Sequence, residues 1–356
     1  MGNPIRVGII GQGRSGYRNH AIILSAMKEQ YRIVAVSDPQ EVSRDRAVRE
    51  FGCDAYADCR DMLQRGDLDL IVNAAPNHLH VPLSQEALEL GHHVLCEKPL
   101  ARRAEEVDRL IAAAEQAGKC LATFQQSRLA PAFQKIMDIV QSGVLGRIVH
   151  VRIAYNNFAR RWDWQTLQAN HGGSLMNAGP HPLDQALRLL GSEEMPDVFC
   201  KLDRVNTFGD ADDYVKLLLK KEGHPLIDLE ISSCDAYPQD TYHIYAEYGG
   251  ISGDYRSLKW KYYDRLQAPE QVLLRHPMVN ANGEPDHCKE TLVWKEESWA
   301  ISDEEKKRPL QRVFYEKLYD TLVHGAPLVV TPQHIKQQIA VIEECHRQNP
   351  LPRFAD

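Results

Sequence analysis

The chain has 356 residues, 43% hydrophobic and 26% charged, a composition of globular proteins and a length that favours two domains. A net charge of −7 gives no basic excess for nucleic acid or an anionic membrane, and no apolar run reaches the roughly 18 residues of a bilayer span. Met1 to Gly11 reads as a strand running into glycines and not as a signal peptide. Eight cysteines without a Cys-x-x-Cys spacing suggest reduced thiols in a cytoplasmic protein, with no bound metal.

The first third alternates apolar strands with amphipathic helices, the pattern of a parallel sheet. Strands are expected over Ile5 to Ile10 and Tyr31 to Ser37, with helices over Ser15 to Lys28 and Glu41 to Glu50. Between the first strand and helix stands Gly11-Gln12-Gly13-Arg14-Ser15-Gly16. Gly11 suits a tight turn, Gly13 close approach of the backbone to a pyrophosphate, and Gly16 close packing of helix on strand. Asp38 ends the second strand 22 positions after Gly16, near the roughly 20 expected of a carboxylate that takes ribose hydroxyls. Glycine turns and helix-capping acids are each common alone; in this order they predict a dinucleotide site. The acid repels a 2′-phosphate, so NAD is expected over NADP, although Arg44 and Arg46 lie close by.

Residues 70 to 99 form a strand–helix–strand unit: strand Leu70 to Ala75, a loop with Asn77 and His80, helix Pro82 to Leu90, strand His92 to Cys96, then Glu97-Lys98-Pro99. Open parallel sheets bind ligands at the carboxyl edge of their strands. Lys98 therefore stands where a substrate meets a cofactor, and its ammonium suits a developing alkoxide. The plainer alternative is a surface lysine. A helix (Ala104 to Ala117) and a strand (Cys120 to Phe124) complete a domain over 1–125. Gln126, just beyond, is a candidate cofactor or substrate contact.

Residues 126–356 follow a different pattern. A helix (Pro131 to Gln141), a strand (Arg147 to Tyr155) and a helix ending near Leu190 lead into strands Val198 to Val205, Tyr214 to Lys220, Leu226 to Ser233 and Tyr242 to Tyr248. Strands in succession indicate a large, mainly antiparallel sheet. Seven of the 14 tyrosines lie between Tyr237 and Tyr263, which suits strands half buried or covered by another subunit, hence a homodimer or homotetramer. Residues 265 to 310 are expected as long loops, and helices over Gln311 to His324 and Pro332 to His346 end the chain.

Oxidising a secondary alcohol removes hydride from carbon and a proton from oxygen, and the base works best near the operating pH. The segment Gly172 to Asp184 offers His181. In one helix Asn177, His181 and Asp184 would share a face, but Pro180 and Pro182 require that helix to kink or start late. A histidine beside prolines is as readily a packing residue. Asn177 is expected to bind a substrate hydroxyl and Asp184 to orient His181 or the substrate. His78, His92, His93 and His171 read as solvated or structural. Arg160-Arg161-Trp162-Asp163-Trp164 suits a polyol pocket, with aromatic faces on C–H bonds and guanidinium on hydroxyls. A buried indole anchor is the alternative for Trp164.

These motifs resemble, over most of the chain, the family of glucose–fructose oxidoreductase and inositol dehydrogenase, Gfo/Idh/MocA. Its signature is a Pro-Asn-x-x-His loop and a Glu-Lys-Pro strand end, matched by Pro76, Asn77, His80, Glu97, Lys98 and Pro99. The Gly172 to Asp184 segment is similar to a family motif whose His is the usual catalytic base. Asn177 replaces that motif's first Asp, so the acid's role does not carry over. The resemblance implies an NAD-dependent oxidoreductase acting on a sugar, inositol or related polyol, with an α/β Rossmann domain and an α+β second domain. It places the cofactor on Gly11, Gln12, Gly13, Arg14, Ser15, Asp38, Ala75, Pro76, Asn77, His80, Glu97, Lys98, Gln126 and Trp162. The substrate falls to Lys98, Arg161, Trp162, Asn177 and His181. An NAD-dependent glycosidase working by transient oxidation and elimination stays open, as does a dinucleotide-binding sensor without turnover. The pairing of Lys98 with His181 argues against the sensor.

Overall fold

A computed structural model describes residues 3–354. Met1, Gly2, Ala355 and Asp356, at the outer ends of the two expected domains, lie outside the described residues. Six strands, β1 (Ile5–Ile10), β2 (Tyr31–Ser37), β3 (Asp54–Tyr56), β4 (Leu70–Asn73), β5 (His93–Cys96) and β6 (Leu121–Thr123), form a parallel sheet in the order β3-β2-β1-β4-β5-β6. Between them run α1 (Ile22–Ser25), α2 (Glu41–Phe51), α3 (Cys59–Leu63), α4 (His80–Glu89) and α5 (Ala104–Ala117). Central strands such as Leu-Ile-Val-Asn are buried throughout because helices cover both faces. The strand order reverses between β1 and β4, where a doubly wound sheet opens a crevice. Register sets Ile10 beside Asn73 and Asn73 beside Cys96, so the loops after β1, β4 and β5 emerge side by side.

Two local features depart from expectation. The helix after β1 begins as a π-helical turn, Gly16–Ala21, and ends at Ser25, short of Lys28. Strand β3 and helix α3 were not expected. Asp-Ala-Tyr is too short and too exposed to show a period.

The second sheet is built from β7 (Ile148–Asn156), β8 (Asp197–Asp203), β9 (Tyr214–Lys220), β10 (Leu226–Ser232), β11 (Tyr242–Ala246), β12 (Gly249–Gly253), β13 (Ser257–Tyr263) and β16 (Trp294–Ala300). A small hairpin of β14 (Met278–Val279) and β15 (Pro285–Asp286) stands apart. The large sheet runs β16-β13-β12-β11-β7-β10-β9-β8 and is antiparallel apart from the β10–β7 pair. Residues 265 to 310 are therefore not all loop. β16 is an edge strand exposed at six of its seven residues, so its sequence shows no buried face. A short helix, Asp303–Lys307, follows it.

Helices α6 (Pro131–Gln141), α7 (Ser174–Asn177) and α8 (Pro180–Leu190) precede the strands that follow β7, and α9 (Asp303–Lys307), α10 (Leu310–His324) and α11 (Pro332–Gln348) end the chain. Helix α8 packs against β7 and β10, while Phe199, Tyr245 and Trp294 remain exposed. Helix α10 returns to the first sheet, where Phe314, Tyr315 and Leu318 join the core of Val7, Ile9, Val36 and Phe124. Helix α11 lies between α5, α8 and β8. Packing thus crosses the sequence division at residue 125, because the chain's end completes the core of its beginning.

Candidate active site

The carboxyl edge of the first sheet holds a cleft of about 640 Å³, bounded by the loops after β1, β2, β4 and β5 and by Trp164 and Gln165 from the second domain. Its glycines are there for steric reasons. Gly11 has φ of +84°, and a Cβ would lie 2.6 Å from the Ala74 carbonyl oxygen. A Cβ on Gly16 would lie 1.9 Å from the Gly11 carbonyl oxygen, so the helix could not start so close to the strand. Gly13 faces open space. Asp38 accepts from the Gln12 N–H at 2.8 Å and the Gln40 N–H at 2.9 Å, which fixes its carboxylate at the cleft wall. Arg44 donates to the Asp38 carbonyl and Arg46 to the Gln12 carbonyl, so both guanidiniums are tied to backbone around Asp38. Buried Gln12 Oε1, Ser37 Oγ and Gln126 Oε1 have no partner. A buried polar atom without a partner is costly, and of the three Ser37 lines the cleft, where a bound dinucleotide can supply one.

Lys98 lies at the floor of this cleft, where burial lowers its pKa, Glu97 opposes that shift, and Arg14 and Arg161 add to it. Its Nζ donates to the Asn177 carbonyl oxygen at 2.9 Å, a link between the two domains. His181 stands at the start of α8 with Nδ1 3.0 Å from Ser127 Oγ. Burial and then the Lys98 ammonium push its pKa down to about 4, against a smaller opposing pull from Glu97. A neutral imidazole, itself outside the cleft lining, therefore lies within electrostatic reach of the Lys98 ammonium. Glu97 is held ionised at a pKa of about 2. Burial alone would raise it, but the His20 hydrogen bond, the Lys98 charge and the Asn19 amide help to outweigh that.

Several sequence-based assignments change. Asn177, His181 and Asp184 do not share one helix. The chain turns at Ala178 and Gly179, and α8 starts at Pro180, as the prolines require. Asn177 lies outside the cleft lining and is already engaged, since its amide donates to the Gln165 carbonyl at 2.9 Å and its Oδ1 accepts from the Asn77 amide at 3.5 Å. Asp184 does not orient His181. It is 2% exposed and receives a two-pronged salt bridge from Arg128, with Nε at 2.6 Å. His80 shows no free ring nitrogen, because the two face the Pro99 and Ala75 carbonyls at 2.7 and 2.9 Å. Asn77 donates to the His171 carbonyl at 3.0 Å. Trp162 is 78% exposed and outside the cleft lining, whereas Trp164 is part of it. Arg161 is held by Asp163 and Gln165.

Arg14, Ser15, Ala75, Pro76, Glu97 and Lys98 line the cleft, Gln12 borders it through its N–H on Asp38, and Gln126, in the turn after β6, lies outside the lining. Of the histidines set aside, His92 is buried between two carbonyls and His78 is exposed. Ser127, Arg128, His20 and Tyr315 were missed. For Ser127 and Arg128 a signal existed, since they directly follow a strand at the ligand-binding edge. His20 and Tyr315 are 295 positions apart, and nothing local joins them.

A Rossmann sheet whose cleft carries a lysine, with a histidine at the start of a helix that packs on a second, open-faced sheet, defines a two-domain dinucleotide-dependent oxidoreductase. The chain belongs to the Gfo/Idh/MocA family. Residues 5–125 match its oxidoreductase family NAD-binding Rossmann fold, and 133–252 match the GFO/IDH/MocA C-terminal domain. It is 28% identical to scyllo-inositol 2-dehydrogenase (NADP(+)) IolW of Bacillus subtilis over 192 residues, 53% of this chain and 52% of that protein. It is 26% identical to 2,7-anhydro-N-acetylneuraminate hydratase of Mediterraneibacter gnavus over 256 residues, 69% and 66% of the two chains. The chain spans about half the length of most of the curated relatives it matches. The WlbA dehydrogenase from Bordetella pertussis, solved with NADH and UDP-GlcNAcA, shares the fold with a TM-score of 0.74 at 20% identity, covering 99% of each chain. No helix among the described residues is long and apolar enough to cross a membrane.

Proposed function

We propose that this protein is an NAD-dependent oxidoreductase that moves hydride between the nicotinamide and a secondary alcohol of a sugar, inositol or related polyol. The observation that carries the reading is a neutral His181 within electrostatic reach of the Lys98 ammonium, which lines the dinucleotide cleft. The cofactor supplies the hydride acceptor. Lys98 Nζ donates to the reacting oxygen and stabilises its developing charge. His181 Nε2 takes the hydroxyl proton, provided Nδ1 carries the hydrogen and donates to Ser127 Oγ, which fixes the ring. Gly11 to Ser15 cradle the pyrophosphate, and Asp38 takes the ribose hydroxyls and excludes a 2′-phosphate. A panel of sugars, inositols and sugar acids, screened for NADH formation by absorbance, tests the reading. A chain that binds NADH but oxidises no member of the panel would lose it.

The hydratase among the relatives favours a second reading, a redox-neutral reaction in which oxidation is transient. Product would then appear without net NADH. The proposal also includes association of copies through the outer face of the second sheet. Tyr245 and Trp294 are exposed there, Trp294 lining a groove of about 860 Å³, and Phe199 is exposed on β8 at the other edge. Trp294→Glu should lower the sedimentation coefficient if that face is the contact.

A further inference from the structure

Glu97 and Lys98 are chain neighbours of opposite charge, yet they do not pair. The Lys98 ammonium donates to the Asn177 carbonyl at 2.9 Å. The Glu97 carboxylate, 5% exposed, accepts instead from His20 Nε2 at 3.2 Å, the Asn19 amide at 3.3 Å and the Lys98 backbone N–H at 3.2 Å. A buried carboxylate turns to the nearest ammonium unless other donors hold it, because attraction between charges strengthens as water is excluded. Here the holders are consecutive residues of the π-helical turn that follows the glycine loop. Such turns in otherwise α-helical segments often mark functional sites.

His20 is itself fixed. It is wholly buried, its ring centroid lies 4.5 Å from that of Phe124, and its Nδ1 is 2.7 Å from the Tyr315 hydroxyl on α10. One hydrogen arrangement satisfies every partner: the Tyr315 O–H donates to Nδ1, and Nε2–H donates to Glu97. Neither His20 nor Tyr315 lines the cleft, so neither is placed to touch cofactor or substrate.

We propose that His20, backed by Tyr315 and assisted by Asn19, is a positioning residue that holds the Glu97 carboxylate away from the Lys98 ammonium and so leaves Lys98 free for the substrate oxygen. The proposal rests on the reading of Lys98 given above. Arg14, Arg161, His80 and His181 also face Lys98, and His80, His181 and Tyr315 face Glu97. All of these stay in place when His20 is replaced by an apolar residue. The carboxylate then turns to the ammonium, which holds its proton more tightly and is withdrawn from the cleft.

The test is competitive acylation of the full chain with acetic anhydride across pH, with and without NADH, following the Lys98 peptide by mass spectrometry. The midpoint of that curve reports the lysine's proton affinity independently of its access. In His20→Leu the unprotonated fraction of Lys98 at a fixed pH should fall about tenfold, one pKa unit. His20→Gln, whose amide still donates toward Glu97, should return it to within about twofold of the parent. Tyr315→Phe should give an intermediate fall, and NADH affinity should stay the same throughout. A Lys98 curve unmoved in folded His20→Leu overturns the proposal; if that variant does not fold, an unmoved curve in Tyr315→Phe combined with Asn19→Leu overturns it equally. Failure of the parent chain to bind NADH would instead overturn the proposed function and leave the labelling comparison to judge the clamp.

Discussion

In the proposed reaction Lys98 and His181 take opposite parts, and burial beside Glu97 sets them up for it. Burial disfavours both charged forms and Glu97 opposes that in each, but the Lys98 ammonium adds to the loss for the imidazolium, whose pKa falls to about 4. A base must be deprotonated to act, so the acid limb of kcat/KM should fall near pH 4 instead of the ordinary histidine value of 6.5. A pH–rate profile with its acid limb above pH 6 would remove His181 from the base's role. Lys98→Ala should lower turnover by at least about 10²-fold with NADH binding nearly intact, since the ammonium acts on developing charge and not on the dinucleotide. Fluorescence titration of NADH beside the turnover assay separates the two effects. At this scale the sequence revealed the residues whose neighbours are local: the glycine turn, Asp38, and the Glu-Lys-Pro strand end. It concealed those whose partners are distant. Asp184 looked free because Arg128, 56 positions away, is invisible from its own helix.

That ion pair belongs to the scale of elements. Arg128 lies on the turn after β6, Asp184 on α8, and Arg128 also donates to the Val329 carbonyl at 3.2 Å, so one side chain fastens three segments behind His181. Both partners are nearly dry, at 9% and 2% side-chain exposure. Removing one partner of such a pair leaves an uncompensated charge and costs about 3–5 kcal/mol, while replacing both by apolar residues costs far less. Arg128→Leu should therefore lower the melting temperature sharply, and Arg128→Leu with Asp184→Leu should recover most of the loss. A double variant no more stable than the single one would show that the pair is not coupled. Elements with a buried apolar period, such as β2, α5 and α10, were legible in the sequence. β16 was not, because an exposed edge strand carries no such period. The amphipathic pattern of α10 revealed a helix but not the sheet that covers it, whose Tyr31 meets Tyr315 from 284 residues upstream.

For the whole molecule, the burial that prepares the site also sets an acid limit on stability. His181 and His346 are both pushed to a pKa of about 4 by burial. An unfolded chain binds these protons near pH 6.5 and the folded one only near 4, so folded stability is full above 6.5 and is lost as pH falls toward 4. His80, His93, His171 and His334 are lowered in the same direction. Asp212 acts the other way. Burial, only partly offset by the backbone N–H groups of Leu175 and Ser174, raises its carboxyl to about 6. It takes up its proton in the folded state first, and that contribution grows as pH falls from 6 to its unfolded value near 3.8. The histidines outnumber it, so the melting temperature should fall by on the order of 5 °C between pH 6.5 and 4.5. Asp212→Asn keeps an oxygen for the Leu175 N–H while removing the buried charge. It should raise the melting temperature at pH 7 and make the acid decline steeper. Calorimetric scans across that range decide the matter. A melting temperature that is flat or rising toward pH 4.5 in the parent chain would mean that the histidines of α8 and of α11 are charged in the folded state, and the assignment of His181 as a neutral base would fall with it.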